Sequence, residues 1–239
     1  MLLAERGLAE SRQKAQALIL AGQVLVNQQK VEKAGALVAG NANIEILGGA
    51  LRYVSRGGLK LEGALADFDI SAKGKLCLDL GSSTGGFSDC LLQHGARRVY
   101  AVDVTVSQLD WKLQKDPRVV RVERNARVLK PGDIGEPADL VTIDVSFISV
   151  AKLLIPVIAL AARGADFLIL VKPQFELDRG DIGKGGIVRD PKLHERAIER
   201  VKAASIAAGL RVESVLPSRV PGAEGNQEFF LHARREAVK

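Results

Sequence analysis

Two strongly apolar runs in this 239-residue chain end abruptly in charges of opposite sign. Leu140-Val141-Thr142-Ile143 runs into Asp144, and Phe167-Leu168-Ile169-Leu170-Val171 runs into Lys172, where Pro173 stops it. Short apolar runs of this kind read as buried strands. In an open α/β sheet, ligands bind at the carboxyl ends of the parallel strands. Neighbouring strands lie about 5 Å apart, so an acid and an amine at adjacent ends can work on one reacting group. Two further charges belong with them: Lys60, in Ser55-Arg56-Gly57-Gly58-Leu59-Lys60-Leu61, and Glu228, in Gly225-Asn226-Gln227-Glu228-Phe229-Phe230. Two lysines and two acids could align a hydroxyl and assist its proton loss. A free lysine titrates near about 10.4, so work as a base near neutrality needs burial or a second cation. Lys60 could be that cation for Lys172, while Asp144 and Glu228 would oppose the shift but fix the direction of an ammonium. The residue types allow either a base or an aligner. The plainer alternative is that all four are solvated strand ends.

A second chemical signal precedes these strands. Leu76-Cys77-Leu78-Asp79-Leu80 reads as a buried strand, followed at once by Gly81-Ser82-Ser83-Thr84-Gly85-Gly86-Phe87 and then a helix. Glycines between a strand and a helix let backbone approach a ligand closely. The spacing is not the dinucleotide G-x-G-x-x-G. It resembles the D-x-G-x-x-x-G-G-F loop of S-adenosylmethionine methyltransferases, in the subgroup that modifies RNA ribose. Asp103 ends the next strand, where an acid can hold a ribose diol. That resemblance would set Asp79 at the methionine amino group and Asn125 at the adenine edge, although Asn125 could equally stabilise its own loop. The same loop also satisfies G-x-S-x-G, the nucleophile elbow of α/β-hydrolases, with Asp144 and His232 following in the right order. A hydrolase elbow comes after several earlier strands, however, and here it would follow the first strand of the sheet.

These groups need a scaffold. Strands are expected over residues 75–80, 99–104, 119–122, 140–144, 167–171, 210–216 and 228–233. Helices are expected over 86–94, 108–114, 149–162 and 192–208, after a helix with Leu61, Leu65 and Phe68 on one face. Such alternation implies an α/β fold, a mostly parallel seven-stranded sheet covered by helices. No helix separates the last two strands, which should form an antiparallel hairpin at the sheet edge.

The first fifty residues read differently, as a small α+β module. Ser11 is a good N-cap for a helix over 12–20, after a short first helix that ends near residue 8. Gly22 stops that helix. Val24-Leu25-Val26 is a short strand, and residues 27–30 a turn. The run SRQKAQALILAGQVLVNQQKV resembles the S4-type RNA-binding module. That resemblance makes Ser11, Arg12, Lys14, Lys30 and Lys33 candidate RNA contacts, with Arg56 further along; the alternative is a helix and hairpin carrying solvated cations. The expected division is an S4-like domain over 1–51, a linker over 52–58 bracketed by Gly48-Gly49 and Gly57-Gly58, and a methyltransferase domain over 59–239.

Taken together, VSRGGLKL, LDLGSSTGGFSD, IDVSFIS, LVKPQFE, DIGKGGIVRD and GNQEFF resemble the TlyA family, also labelled hemolysin A. The likeness covers nearly the whole chain. It implies a Rossmann-like S-adenosylmethionine methyltransferase and a Lys-Asp-Lys-Glu tetrad at Lys60, Asp144, Lys172 and Glu228. The implied reaction is 2′-O-methylation of cytidine in ribosomal RNA, and the partner is ribosomal RNA or a ribosomal subunit. The start of the chain resembles the shorter form of the family, which acts mainly on the large subunit.

Composition agrees with these readings. A net charge of +6 and a pI near 9.4 suit a polyanionic partner. Cys77 and Cys90 fall in apolar runs without metal-ligand spacing, as in a reducing cytosol. Glu5 and Arg6 interrupt any apolar leader, and the greasy run over 153–162 is too short to span a bilayer. The expectation is a cytoplasmic protein without membrane attachment, which argues against a membrane-lytic role. No Asn-Pro-Pro-Tyr-type motif for amine methylation occurs, and neither cysteine follows a proline as a cytosine-C5 nucleophile would. No metal site is expected, since His94, His194 and His232 are scattered. A binding-only protein is the remaining alternative, but it would not need both Lys60 and Lys172.

Overall fold

The computed structural model describes residues 2–9, 11–20, 22–27, 29–31, 33–46, 52–222 and 225–236. They fall into two compact units, Met1–Arg52 and Tyr53–Lys239. In the first, α1 (Leu2–Glu5) and α2 (Arg12–Leu20) precede β1 (Val24–Val26), β2 (Gln29–Val31) and β3 (Ile44–Ile46). The strands form an antiparallel sheet in the order β2-β1-β3. Leu3, Ala15 and Val24 are its buried centre, with Leu18, Ile19, Val26 and Ile44 packed around them. The Ser11 hydroxyl accepts the Lys14 N–H at 3.1 Å, the expected cap. The first helix is shorter than expected and already ends at Glu5. β3 went unforeseen because three residues, Ile44-Glu45-Ile46, are too few to show periodicity.

The second unit starts with α3 (Arg56–Asp67). It continues through β4 (Leu76–Leu80), α4 (Gly86–Gln93), β5 (Arg98–Asp103), α5 (Trp111–Gln114), β6 (Val119–Glu123) and β7 (Ala138–Ile143). α6 (Leu154–Ile158), β8 (Ala161–Val171), α7 (Pro173–Glu176), α8 (Pro191–Ala207), β9 (Leu210–Pro217) and β10 (Phe229–Arg235) complete it. The seven strands lie in the order β6-β5-β4-β7-β8-β10-β9. β4 through β8 pair in parallel, while β10 runs antiparallel to β8 and to β9. The hairpin is thus antiparallel as expected, with its second strand inside and β9 at the edge. Along β4 the pleat sends Leu76, Leu78 and Leu80 into one core and Cys77 into the other, so helices cover both faces.

Three expectations change. The stretch 52–58 is no linker: Tyr53 is 1% exposed and α3 begins at Arg56. The glycines there serve packing, since a Cβ on Gly58 would collide with the Tyr53 ring. The helix expected over 108–114 is a 3-10 turn at Val106–Gln108 followed by α5, whose N-cap is Asp110. The helix expected over 149–162 is a 3-10 turn and the short α6, because residues 161 and 162 already belong to β8, where Ala161 pairs with Ala138. An apolar run without periodicity cannot say where helix gives way to strand.

Candidate active site

The glycine-rich loop leaves β4 at its carboxyl end. Gly81 has φ +79°, and a Cβ there would stand 2.1 Å from the Asp144 carbonyl oxygen. Only glycine lets the first strand's exit lie this close to the end of β7. The Gly81 and Ser82 N–H groups both donate to Val102 O, at 2.9 and 3.1 Å. Asp103 then holds the loop from β5: its carboxylate accepts Ser83 N–H at 3.0 Å and Thr105 N–H at 3.1 Å.

Two cavities meet at this loop. One of about 610 Å³ is lined by Gly81, Ser83, Asp103, Asn125, Asp144 and Phe147, among others. One of about 260 Å³ is lined by Arg56, Lys60, Ser82, Thr84, Gly86, Phe87 and Asp144, among others. Gly81, Ser83 and Asp144 border both. Ser82 Oγ is buried at the smaller cavity and lacks a hydrogen-bond partner. An orphaned hydroxyl there fits a site that a polar ligand completes. Asn125 lines the larger cavity, and its Oδ1 also accepts Arg127 N–H at 3.0 Å.

Two residues expected at the ligand are placed elsewhere. Asp79 lines neither cavity and is fully buried. Ser88 Oγ donates to it at 2.6 Å and Thr142 Oγ1 at 3.1 Å. Burial pushes its carboxyl up to about 7, against those two hydrogen bonds. Gly85 also lines neither cavity; at φ +97° it caps α4, and a Cβ would strike Leu113 and Leu109. Its role is packing the loop onto α5 and the segment before it.

The four charged residues come together as two ion pairs. Lys172 pairs with Asp144, and its Nζ also donates to Ser146 Oγ at 3.1 Å. Lys60 Nζ donates to Glu228 Oε2 at 2.6 Å. Strand register puts the pairs side by side: Phe229 is opposite Val171, so Glu228 just before β10 and Lys172 just after β8 are the next residues in line. Lys172 is 9% and Glu228 2% exposed; each reaches the cavities through its partner, Asp144 or Lys60. The alternative of freely solvated strand ends does not describe them.

Sequence reading missed Ser146, Phe147, Phe175 and Glu176. Phe147 is 91% exposed at φ +63°, unusual for a large side chain, and its ring lies 5.2 Å from that of Phe175. They lie within IDVSFIS and LVKPQFE, but their mutual contacts cross two loops and leave no spacing signal.

Residues 53–235 match the FtsJ-like methyltransferase family, and residues 1–44 match the S4 domain. The chain belongs to the FtsJ-like methyltransferase family. A 16S/23S rRNA (cytidine-2′-O)-methyltransferase, TlyA of Mycobacterium tuberculosis, is 45% identical over 98% of this chain and 88% of its own length. A solved hemolysin-named protein from Streptococcus thermophilus is 40% identical, with TM-score 0.80 over 99% of this chain and 87% of that one. An S-adenosylmethionine-dependent methyltransferase from Listeria monocytogenes shares the fold at 16% identity, with TM-score 0.56 over 77% of this chain and all of that one. The FtsJ-like unit therefore has a methyltransferase fold. Among the described residues, no helix is long and apolar enough to cross a membrane.

The remaining candidates have modest surroundings. Arg12, Lys30 and Lys33 are exposed on the S4 unit, and Lys14 is half-buried. Arg56 lies on the FtsJ-like unit instead, donating to Pro221 O at 3.3 Å. The histidines serve the scaffold: His94 contacts Cys90 O, His194 contacts Val188 O, and His232 contacts Asp166.

Proposed function

We propose that this chain transfers a methyl group from S-adenosylmethionine to the 2′-oxygen of cytidine in ribosomal RNA. The observation that carries the reading is Asp144, which borders both cavities beside the glycine loop and is paired from behind with Lys172. The names of the full-length relatives support the substrate.

The bound cofactor would supply a sulfonium methyl that is already electrophilic. Gly81, Ser82, Ser83 and Thr84 would hold its amino-acid end, and Asp103 its ribose, leaving Asn125 and its neighbours for the base. What remains for the protein is alignment of the attacking oxygen and help with its proton. An ammonium has three donors. Held by its ion pair with Asp144 and its hydrogen bond to Ser146, the Lys172 ammonium would orient the ribose hydroxyl, whose proton would leave to solvent as the O–CH3 bond forms and the S–CH3 bond breaks. Lys60 and Glu228 form a second buried pair alongside.

The domain with the S4 match, taken over residues 1–51, would bring the RNA through Arg12, Lys14, Lys30 and Lys33. Arg56, exposed at the smaller cavity, would meet RNA near the reacting ribose. A ribosomal substrate would put the protein in the cytoplasm. The test is mass mapping of ribose methylation on 16S and 23S RNA from cells with and without the protein. The expected result is loss of a 2′-O-methylcytidine in its absence; unchanged ribose methylation on both RNAs overturns the reading.

A further inference from the structure

The loops after β7 and β8 carry Asp144 and Lys172, and they are tied at more than that pair. Glu176 ends α7 and is 2% exposed. Its Oε2 accepts Ser149 Oγ–H at 2.5 Å, and its Oε1 accepts Val150 N–H at 2.8 Å. Nearer the strands, Lys172 contacts Asp144 and Ser146, and Phe175 contacts Phe147. The contacts therefore run in the same order along both loops, with Glu176 as the last. From outside the cavities, Arg200 of α8 donates to the Glu176 carbonyl oxygen at 2.7 Å and anchors that end.

A buried carboxylate is a costly way to join two loops. Burial pushes the Glu176 carboxyl above its usual range, against the hydrogen bonds from Ser149 and Val150. The group has no place at the cavities, yet both its oxygens are used on the loop that carries Asp144. We propose that Glu176 is a positioning residue for methyl transfer: it braces the Asp144 loop against the Lys172 loop and so fixes where the Lys172 ammonium points. The inference rests on reading Lys172 and Asp144 as the reacting pair. A misplacement of about 1 Å can cost roughly 100-fold in rate, so the brace is felt in turnover before it is felt in binding.

Both hydrogen bonds survive in Glu176→Gln. The amide oxygen can accept Val150 N–H while its NH₂ donates to Ser149 Oγ. Glu176→Ala loses both. The experiment is single-turnover transfer of labelled methyl to ribosomal RNA by the full chain, with cofactor affinity measured on the same preparations. Glu176→Ala should be about 10- to 100-fold slower with cofactor affinity little changed, and Glu176→Gln should stay within about threefold of the unaltered protein. The proposal is overturned by a Glu176→Ala rate near the unaltered one, by Glu176→Gln being as slow as Glu176→Ala, or by rate and affinity falling together. If Glu176→Ala does not fold, Ser149→Ala, which removes one of the two bonds, decides: a slower rate supports the brace and an unchanged one overturns it. Lys172→Ala runs alongside. If that variant is fast, the reading of the pair fails; if it is slow while Glu176→Ala is fast, only the brace fails.

Discussion

Lys60 and Glu228 are 168 positions apart in the chain and 2.6 Å apart in space. Both are shielded, with side chains 11% and 3% exposed. Removing one partner of such a pair strands the other charge away from water and typically costs about 3–5 kcal/mol, whereas replacing both with apolar groups can be neutral. Lys60→Met and Glu228→Leu should each lower stability markedly, and the double variant should recover much of the loss. Urea denaturation of the three variants gives the comparison. Equal and additive losses would mean that the pair is not coupled.

Lys172→Ala should fold and bind cofactor, since the glycine loop and Asp103 are untouched. Its single-turnover methyl transfer should fall by about 10²–10⁴-fold. Lys172→Arg should also be slow, because a planar fork cannot reproduce the ammonium's directions to Asp144, Ser146 and a third group. A Lys172→Ala rate like that of the unaltered protein would remove Lys172 from the mechanism and direct attention to Lys60.

Gly81→Ala should damage the cofactor site more than the fold. The added methyl meets the Asp144 carbonyl at 2.1 Å, at a φ of +79° that alanine resists. Asp103→Ala should loosen the same loop by freeing the Ser83 and Thr105 amides. Calorimetry should show weaker binding of S-adenosylhomocysteine to both and no binding of NAD to either. Tight NAD binding by the unaltered protein would contradict the assignment.

Asp79 predicts a pH dependence of stability. Its folded value, about 7, lies above the unfolded value near about 3.9. Between those values the folded state binds the extra proton, so the contribution is full below pH 4 and is lost as pH rises toward 7. The slope from this one group is at most about 1.4 kcal/mol per pH unit. Asp79→Asn keeps groups able to meet Ser88 and Thr142, and should flatten the stability profile between pH 4 and 7. An identical profile in thermal melts would show that Asp79 does not titrate there.

Arg12→Ala with Lys14→Ala should weaken binding to ribosomal RNA and reduce its salt dependence, leaving cofactor affinity unchanged. Each lost phosphate contact lowers the slope of log affinity against log salt by roughly one. Filter binding across a salt series measures it. An unchanged slope would assign both residues to a merely solvated helix face.

Much of this protein was determined by local sequence. Alternating apolar runs and punctuating glycines gave the parallel strands, the edge hairpin and the glycine loop, because strand burial and tight turns depend on residues a few positions apart. The charges ending two apolar strands, at Asp144 and Lys172, were visible for the same reason. Tertiary structure alone decided which charges pair, since Lys60 and Glu228 meet through α3 and β10, at opposite ends of their unit. It also decided that Asp79 faces Ser88 and Thr142 inside the fold, that Gly85 makes room for Leu109 and Leu113, and that Tyr53 and Gly58 pack against each other. Glu176 was hidden most completely. A carboxylate at the end of a four-residue helix carries no periodic signal, and its meaning comes from two donors on another loop that only the folded chain brings within 3 Å.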